Sequence, residues 1–130
     1  MAKFTLIERP GTGVEEPPRN PPPPNNVGDQ LLNIDRQLED NGRNLAGTFV
    51  FRGTVVQRFA QNDIVVAFEA TNKLNKGVIN TQGVIRFADF RSANGVTWAI
   101  VGGTRKYKKA HGTVTGKIVD SETQFTFRVS

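Results

Sequence analysis

The chain has 130 residues, of which 37% are hydrophobic and 22% charged, and its formal net charge is +5. A chain of this length corresponds to one domain with a substantial buried core. Because it has no cysteine and only one histidine, disulfide scaffolds, zinc–thiolate sites, cysteine nucleophiles and histidine-rich metal sites are excluded.

The first 26 residues divide into a short N-terminal strand, within residues 1–9, and a proline-rich strap, residues 10–26. The segment "KFTLIE" (3–8) predicts the strand, and all seven prolines follow within residues 10–24. The run "PPRNPPPPNN" is typical of polyproline II, which continues neither a sheet nor a helix. The strap is either a lid across a barrel mouth or a solvated linker. The N-terminus lacks the apolar stretch of a signal peptide, so we expect a cytoplasmic location without a membrane partner.

From residue 27 to residue 130 the pattern indicates antiparallel β-structure, because short alternating segments are separated by polar turns without a helical period. In the segment 47–59, an apolar face alternates with polar residues, and Gly53 predicts a bend or bulge. That apolar face consists of Phe49, Phe51, Val55 and Phe59. The predicted strands of this part are 30–38, 47–59, 63–71, 78–90, 96–101, 112–119 and 123–129.

Together with the N-terminal strand, these segments make about eight strands in hairpin order, for which a sandwich and a closed barrel are the two stable outcomes. We favour an all-β fold, a closed antiparallel up-and-down barrel of about eight strands. A barrel of this size has a lumen that can hold one small ligand.

The stretch "WAIVGGTRKYKKAHGTV" (98–114) contains four cations within five residues. A phosphate-binding loop needs Gly-x-x-x-x-Gly-Lys-Ser/Thr between a strand and a helix. Here the glycines lie between two predicted strands, and no Ser or Thr follows a lysine at the required place. Tyr107 among the cations leaves nucleic-acid binding open, but a hairpin loop with solvated cations is favoured.

The same stretch resembles the "AI-x-GGTG-K/R-Y/F-x-x-A-x-G" signature of dirigent proteins and allene oxide cyclases. Other segments resemble the family in the family's order: "FTLIE", "VGDQLLNIDRQLEDNGRNLAGTF", "GVINTQGVIRF" and "TQFTFRV". The resemblance covers residues 3–9 and 27–130 and implies the same barrel. Within the family, the chain resembles most the small bacterial members, which include enzymes that close rings in polyketide products by [4+2] cycloaddition. Arg105 stands where the family has glycine, so a positive φ there would strain the backbone.

The resemblance also implies candidate catalytic residues. Glu8 falls where allene oxide cyclases carry a glutamate that steers charge at the substrate, although a surface glutamate at a strand end is the alternative. Asp35 matches an acidic position of dirigent proteins and either faces the lumen or points outward. A carboxyl that faces a lumen rich in phenylalanine would have a raised pKa and could act as an acid.

Aromatic residues supply the predicted substrate-binding wall, and the resemblance places Phe49 on the lumen side. His111 replaces an arginine of the dirigent motif and is either part of the site or exposed. The candidate substrate-binding residues are Phe49, Phe51, Phe68, Phe87, Trp98, His111, Phe125 and Phe127.

We expect a cyclase or isomerase of secondary metabolism that needs no metal or other cofactor and folds a hydrophobic, polyketide-derived intermediate for ring closure. The alternatives are a non-catalytic dirigent-like or lipocalin-like binding barrel and, less favoured, a nucleic-acid-binding barrel that uses Arg52, Arg58, Arg86 and "RKYKK". The family resemblance also implies a homodimer or homotrimer.

Overall fold

The computed structural model describes residues 2–8, 14–15, 26–39, 42–60, 63–120 and 122–130. Short 3-10 helices span Phe87–Arg91 and Arg105–Tyr107, and no helix of the described ranges is long and apolar enough to cross a membrane. The strands are β1 (Ala2–Glu8), β2 (Val14–Glu15), β3 (Gln30–Glu39), β4 (Leu45–Ala60), β5 (Asp63–Leu74), β6 (Gly77–Arg86), β7 (Val96–Gly103), β8 (Gly112–Val119) and β9 (Glu122–Val129).

All strands belong to one antiparallel sheet with the order β1-β9-β8-β7-β6-β5-β4-β3-β2. The sheet closes because β1 also pairs with β3, where Leu6 lies opposite Glu39 and Glu8 lies opposite Gln37. We call this junction the seam. Eight long strands therefore form a barrel, as predicted, and the two-residue β2 extends the edge of β3 through the pair Val14–Ile34. Apart from β2 and Asn26, the predicted strap lies outside the described residues, so its role as lid or linker stays a prediction.

Successive side chains along each strand point to opposite faces of the sheet. Those that point inward form the core, which therefore lies in the lumen. Val66, Ile79 and Phe127 have no exposed surface at all. Aromatic contacts link the strands across the lumen: the ring centroids of Phe49 and Phe125 lie 5.1 Å apart. Such contacts add to the free energy of burial by roughly 0.5–1.5 kcal/mol for each pair.

A bend or bulge of β4 was predicted at Gly53, but the irregularity of this strand lies further along the chain. Gly53 pairs in register with Phe68, and the bulge follows between Val55 and Gln57. A Cβ atom at Gly53 would meet Cγ1 of Val66 at 2.5 Å, so this glycine permits close packing instead of a bend. The bulge moves Phe59 from the predicted inner face to the surface, where the guanidinium of Arg86 lies 4.1 Å from its ring centroid.

The predicted strand 78–90 is also too long, because β6 ends at Arg86 and a 3-10 helix follows. The backbone N–H and the hydroxyl of Ser92 both donate to the carbonyl oxygen of Asp89, which closes this turn. We call residues Phe87–Arg91 the mouth helix. It returns the chain over one end of the barrel, where the ring of Phe90 lies 6.2 Å from that of Trp98.

The glycine-rich stretch between β7 and β8 is a turn of the barrel, as predicted. Arg105 at its centre has a φ of 53°, so the expected strain is present at this position. A left-handed conformation at a residue with a Cβ atom costs roughly 1–2 kcal/mol. The turn lies at the end of the barrel opposite the mouth helix, because successive antiparallel strands place alternate connections at alternate ends. We call that end the base.

Candidate functional site

A cavity of about 310 Å³ opens at the end of the barrel that carries the mouth helix. This volume lies at the lower end of the range typical of small-molecule sites. Aromatic and aliphatic side chains form most of its wall, and a few polar side chains interrupt it. The wall includes Phe49, Phe51, Phe68, Ile85, Phe87, Phe90, Trp98, Ile118 and Phe125, and its polar members are Glu8, Asn33, Arg91 and Thr123.

The aromatic part of the wall is held by ring-to-ring contacts. Phe51 stacks on Phe68 with centroids 5.0 Å apart. The indole of Trp98 meets Phe68 edge-on at 5.4 Å and Phe125 at 5.6 Å. Gly116 makes room for this indole, since a Cβ atom there would lie 2.9 Å from the Trp98 ring. The cavity therefore has a preformed wall, which limits the entropy lost when a ligand binds.

Glu8 is the titratable group of greatest interest on this wall. It is the last residue of β1 and lies opposite Gln37 on one side and Thr123 on the other, so its side chain faces the lumen. Burial and, to a smaller extent, the nearby charge of Asp35 together raise the pKa of Glu8 from 4.5 to about 8. At neutral pH Glu8 is therefore mostly a neutral carboxylic acid, which can donate a hydrogen bond into an apolar cavity.

Asp35 lies on β3, two residues before Gln37, and opposite Phe49 of β4. It is outside the cavity lining but close enough to Glu8 to act on the pKa of that residue. The structure thus brings the two predicted catalytic carboxyl groups to the seam in different positions. The side chain of Glu8 faces the cavity, and the charge of Asp35 contributes to the raised pKa of Glu8.

The inner face of β3 is polar, which sequence reasoning missed. Asn33, Asp35 and Gln37 point inward, whereas the alternate residues Leu32 and Ile34 lie on the outer side. Gln37 is fully buried, and neither its Nε2 nor its Oε1 has a hydrogen-bond partner among the described residues. The available signal was the row of carboxyl and carboxamide residues at alternate positions of "NIDRQ".

Six of the predicted substrate-binding residues line the cavity, and two do not. Phe127 is fully buried below it and stacks on Phe4 with centroids 4.9 Å apart. His111 is exposed at the base, in the β7–β8 connection, where its Nδ1 lies 3.4 Å from the carbonyl oxygen of Lys109. The expectation that His111 contacts a ligand in the lumen does not fit this placement. Phe90, Asn33 and Thr123 are wall residues that the sequence did not indicate.

Potential metal ligands do not cluster in this barrel. Within the part of the chain that the structure describes, no group of three His, Asp or Glu side chains could hold a metal ion. The wall offers a ligand its apolar side chains, the carboxyl group of Glu8 and the polar side chains of Asn33, Arg91 and Thr123.

Comparison with known proteins gives a family match and several similar structures. The family model "Allene oxide cyclase barrel like domain" matches residues 14–129. A pyocyanin demethylase has a TM-score of 0.75 at 18% identity, with 99% of this chain and 100% of that chain covered. An exo-specific intermolecular Diels-Alderase has a TM-score of 0.68 at 15% identity, with 99% and 98% covered. A nonspecific haem-binding cyclase that catalyses [4+2] cycloaddition during neoabyssomicin biosynthesis has a TM-score of 0.64 at 17% identity, with 99% and 64% covered.

At these identities the structural likeness establishes a shared fold. The comparison with curated proteins gave no match.

Proposed function

Because the chain belongs to the allene oxide cyclase barrel-like family, we propose that it is a ring-closing cyclase that works without a cofactor on a hydrophobic, polyketide-type intermediate. The observation that carries this proposal is the position of Glu8 on the wall of an aromatic cavity, where burial also raises its pKa. Two of the similar structures are [4+2] cyclases, which supports the same class of reaction.

The aromatic wall supplies the first part of the mechanism. An apolar chain bound against Phe51, Phe68 and Trp98 loses its extended conformations, and its reacting ends are held near each other. Such positioning lowers a barrier by roughly 7–11 kcal/mol in ideal cases. In a [4+2] closure three π bonds become one π bond and two σ bonds within the substrate, so no atom, electron or proton has to be supplied.

Glu8 supplies the second part. Its neutral carboxyl donates a hydrogen bond to a carbonyl oxygen conjugated with the reacting double bond, and this bond strengthens as charge develops on that oxygen. A preorganised donor of this kind is worth about 10²–10³ in rate. Burial and, after it, the charge of Asp35 keep the proton on Glu8 near neutral pH, so Asp35 is a positioning residue in this mechanism.

Turnover of linear polyenes that carry a conjugated ketone, followed by liquid chromatography and mass spectrometry, tests the proposal. We expect Glu8→Ala to lower kcat/KM by about 10²–10³-fold and Glu8→Gln to retain part of the rate, because its amide still donates. Glu69→Gln is the matched control, since Glu69 is exposed on the outer face of β5. Wild-type kcat should fall as the pH rises through about 8.

A non-catalytic binding barrel is the main alternative, and the same cavity would serve it. Saturable quenching of Trp98 by the polyenes without any product would favour that alternative and contradict the cyclase. Unchanged turnover in a folded Glu8→Ala variant would remove the role of Glu8 as donor. Assembly as a homodimer or homotrimer and a cytoplasmic location remain part of this proposal.

Nucleic-acid binding receives less support from the surface. Arg86, one of the expected contacts, forms a bidentate ion pair with Asp63 through distances of 2.9 and 2.7 Å. The same guanidinium lies over the ring of Phe59. Its Nε and Nη2 atoms are therefore already engaged within the barrel wall, while 41% of the side chain is exposed.

A further inference from the structure

A second cavity, of about 500 Å³, lies at the base of the barrel. It exists because β3 ends at Glu39, opposite Leu6, so the part of β1 before Leu6 pairs with β9 alone. This open edge of β1 forms one wall, and the β5–β6 turn and the β7–β8 connection form the other. The floor is apolar, with Phe4, Leu6, Ala46 and Leu74, and the rim is polar, with Lys3, Glu39, Lys76, Lys106 and Tyr107.

Backbone hydrogen bonds hold two lysines of this rim side by side. The N–H of Lys106 donates to the carbonyl oxygen of Lys76 at 3.1 Å. The N–H of Thr104 donates to the carbonyl oxygen of Val78 at 2.9 Å, and the N–H of Val78 donates to Oγ1 of Thr104 at 3.1 Å. Gly77 permits this approach, because a Cβ atom there would lie 2.2 Å from the carbonyl oxygen of Thr104.

The two ammonium groups make this part of the rim positive. The ammonium group of Lys76 lies close to that of Lys106, and the proximity of this like charge lowers the pKa of Lys106. Within the described ranges neither lysine forms an ion pair. Glu39 is the acid among the lining residues, and its carboxylate accepts a hydrogen bond from Nδ2 of Asn44 at 3.1 Å. Adjacent cations at a cavity rim are the arrangement that binds an anion.

We propose that the base cavity binds an organic anion, with its terminal phosphate, sulfonate or carboxylate between Lys76 and Lys106 and its apolar body on Phe4 and Leu74. The hydroxyl of Tyr107 is a further donor on the same rim. The cavity volume suits a small molecule. This site lies at the opposite end of the barrel from Glu8 and does not depend on the proposed cyclase activity.

Amide NMR of ¹⁵N-labelled protein at constant ionic strength tests the site with hexyl phosphate, hexanoate, inorganic phosphate and 1-hexanol. We expect the amides of Lys76, Gly77, Thr104 and Lys106 to shift saturably with hexyl phosphate or hexanoate. The stronger of these two identifies the preferred oxyanion. Inorganic phosphate should bind at least tenfold more weakly, and 1-hexanol should leave these amides unshifted.

Charge-removing variants decide whether the cavity or the general basic surface is responsible. Lys106→Ala and Lys76→Ala should each weaken hexyl phosphate binding by about tenfold, the loss of one hydrogen bond between charged groups. Lys108→Ala is the matched control, because Lys108 belongs to the same connection but lies outside the cavity lining. Equal weakening by Lys108→Ala, or the absence of saturable shifts at the four amides, would overturn the proposal. The Glu8→Gln variant should bind hexyl phosphate like the wild type. The anion site and the proposed cyclase activity are therefore tested independently of each other.

Discussion

Replacement of Glu8 by glutamine should change how the stability of the barrel depends on pH. The ordinary pKa of the carboxyl group is 4.5, and in the folded protein it is about 8. Between these values the folded state holds a proton that the unfolded state has released. The free energy of unfolding therefore falls by about 1.4 kcal/mol per pH unit as the pH rises. This contribution is complete below pH 4.5 and is lost as the pH rises through about 8, and its full size is at most about 5 kcal/mol.

The difference between Glu8→Gln and wild type isolates this contribution, because both proteins share every other titratable group. Urea unfolding at pH 5, 7 and 9, followed by the fluorescence of Trp98, the single tryptophan, gives the two free energies. Between pH 5 and pH 9 the difference should move by roughly 3–5 kcal/mol in favour of the variant. Glu69→Gln, a substitution on the outer face, should show a much smaller change over the same range.

A difference that stays constant from pH 5 to pH 9 would refute this reasoning. Glu8 would then be ionised at neutral pH in the folded protein. The hydrogen bond that it donates in the proposed mechanism would have no proton, and the cavity would have to work by shape alone.

Three further substitutions test other parts of the structure. Asp35→Asn should lower the pKa of Glu8 but leave it above 4.5, because burial is the larger cause of the shift. Carboxyl ¹³C NMR measures this pKa directly, and an unchanged value would show that the two groups do not interact. Arg105→Gly should raise the free energy of unfolding by up to about 1 kcal/mol, since glycine adopts positive φ without strain, and a loss of stability in urea would contradict this account of the turn. Gly116→Ala should lower the free energy of unfolding by about 1–3 kcal/mol and shift the Trp98 emission, because the added Cβ would lie 2.7 Å from Phe90 and 2.9 Å from the indole. A variant with wild-type stability would show that the aromatic wall rearranges at little cost in free energy.

The strand order and the closed barrel were predictable because alternation and turn residues act locally. The segments 63–71, 112–119 and 123–129 lie within β5, β8 and β9. The bulge after Val55 was not predictable in the same way. It follows from how β4 and β5 curve around the core, whereas the glycine two residues earlier is needed for packing against Val66.

The candidate site was only partly predictable from the sequence. Aromatic residues at alternate strand positions indicated the wall, and the family resemblance indicated Glu8. The sequence left the inner face of β3 open, since both of its faces carry apolar residues, Leu31 on one and Leu32 and Ile34 on the other. The mouth helix was missed because "RFADF" continues the apolar alternation of β6, while the turn at Asp89 depends on contacts with Ser92.

The polar inner face of β3 makes the lumen two-sided. Glu8 and Asn33 border the seam, and Thr123 lies beside Glu8 on β9. Phe51, Phe68 and Trp98 lie on strands β4, β5 and β7. In the proposed ring closure, a flexible chain that places its oxygen atom at the seam would lay its carbon skeleton against the aromatic side. One prochiral face of the substrate would then be turned toward the protein before any bond forms, and this placement would decide the handedness of the product.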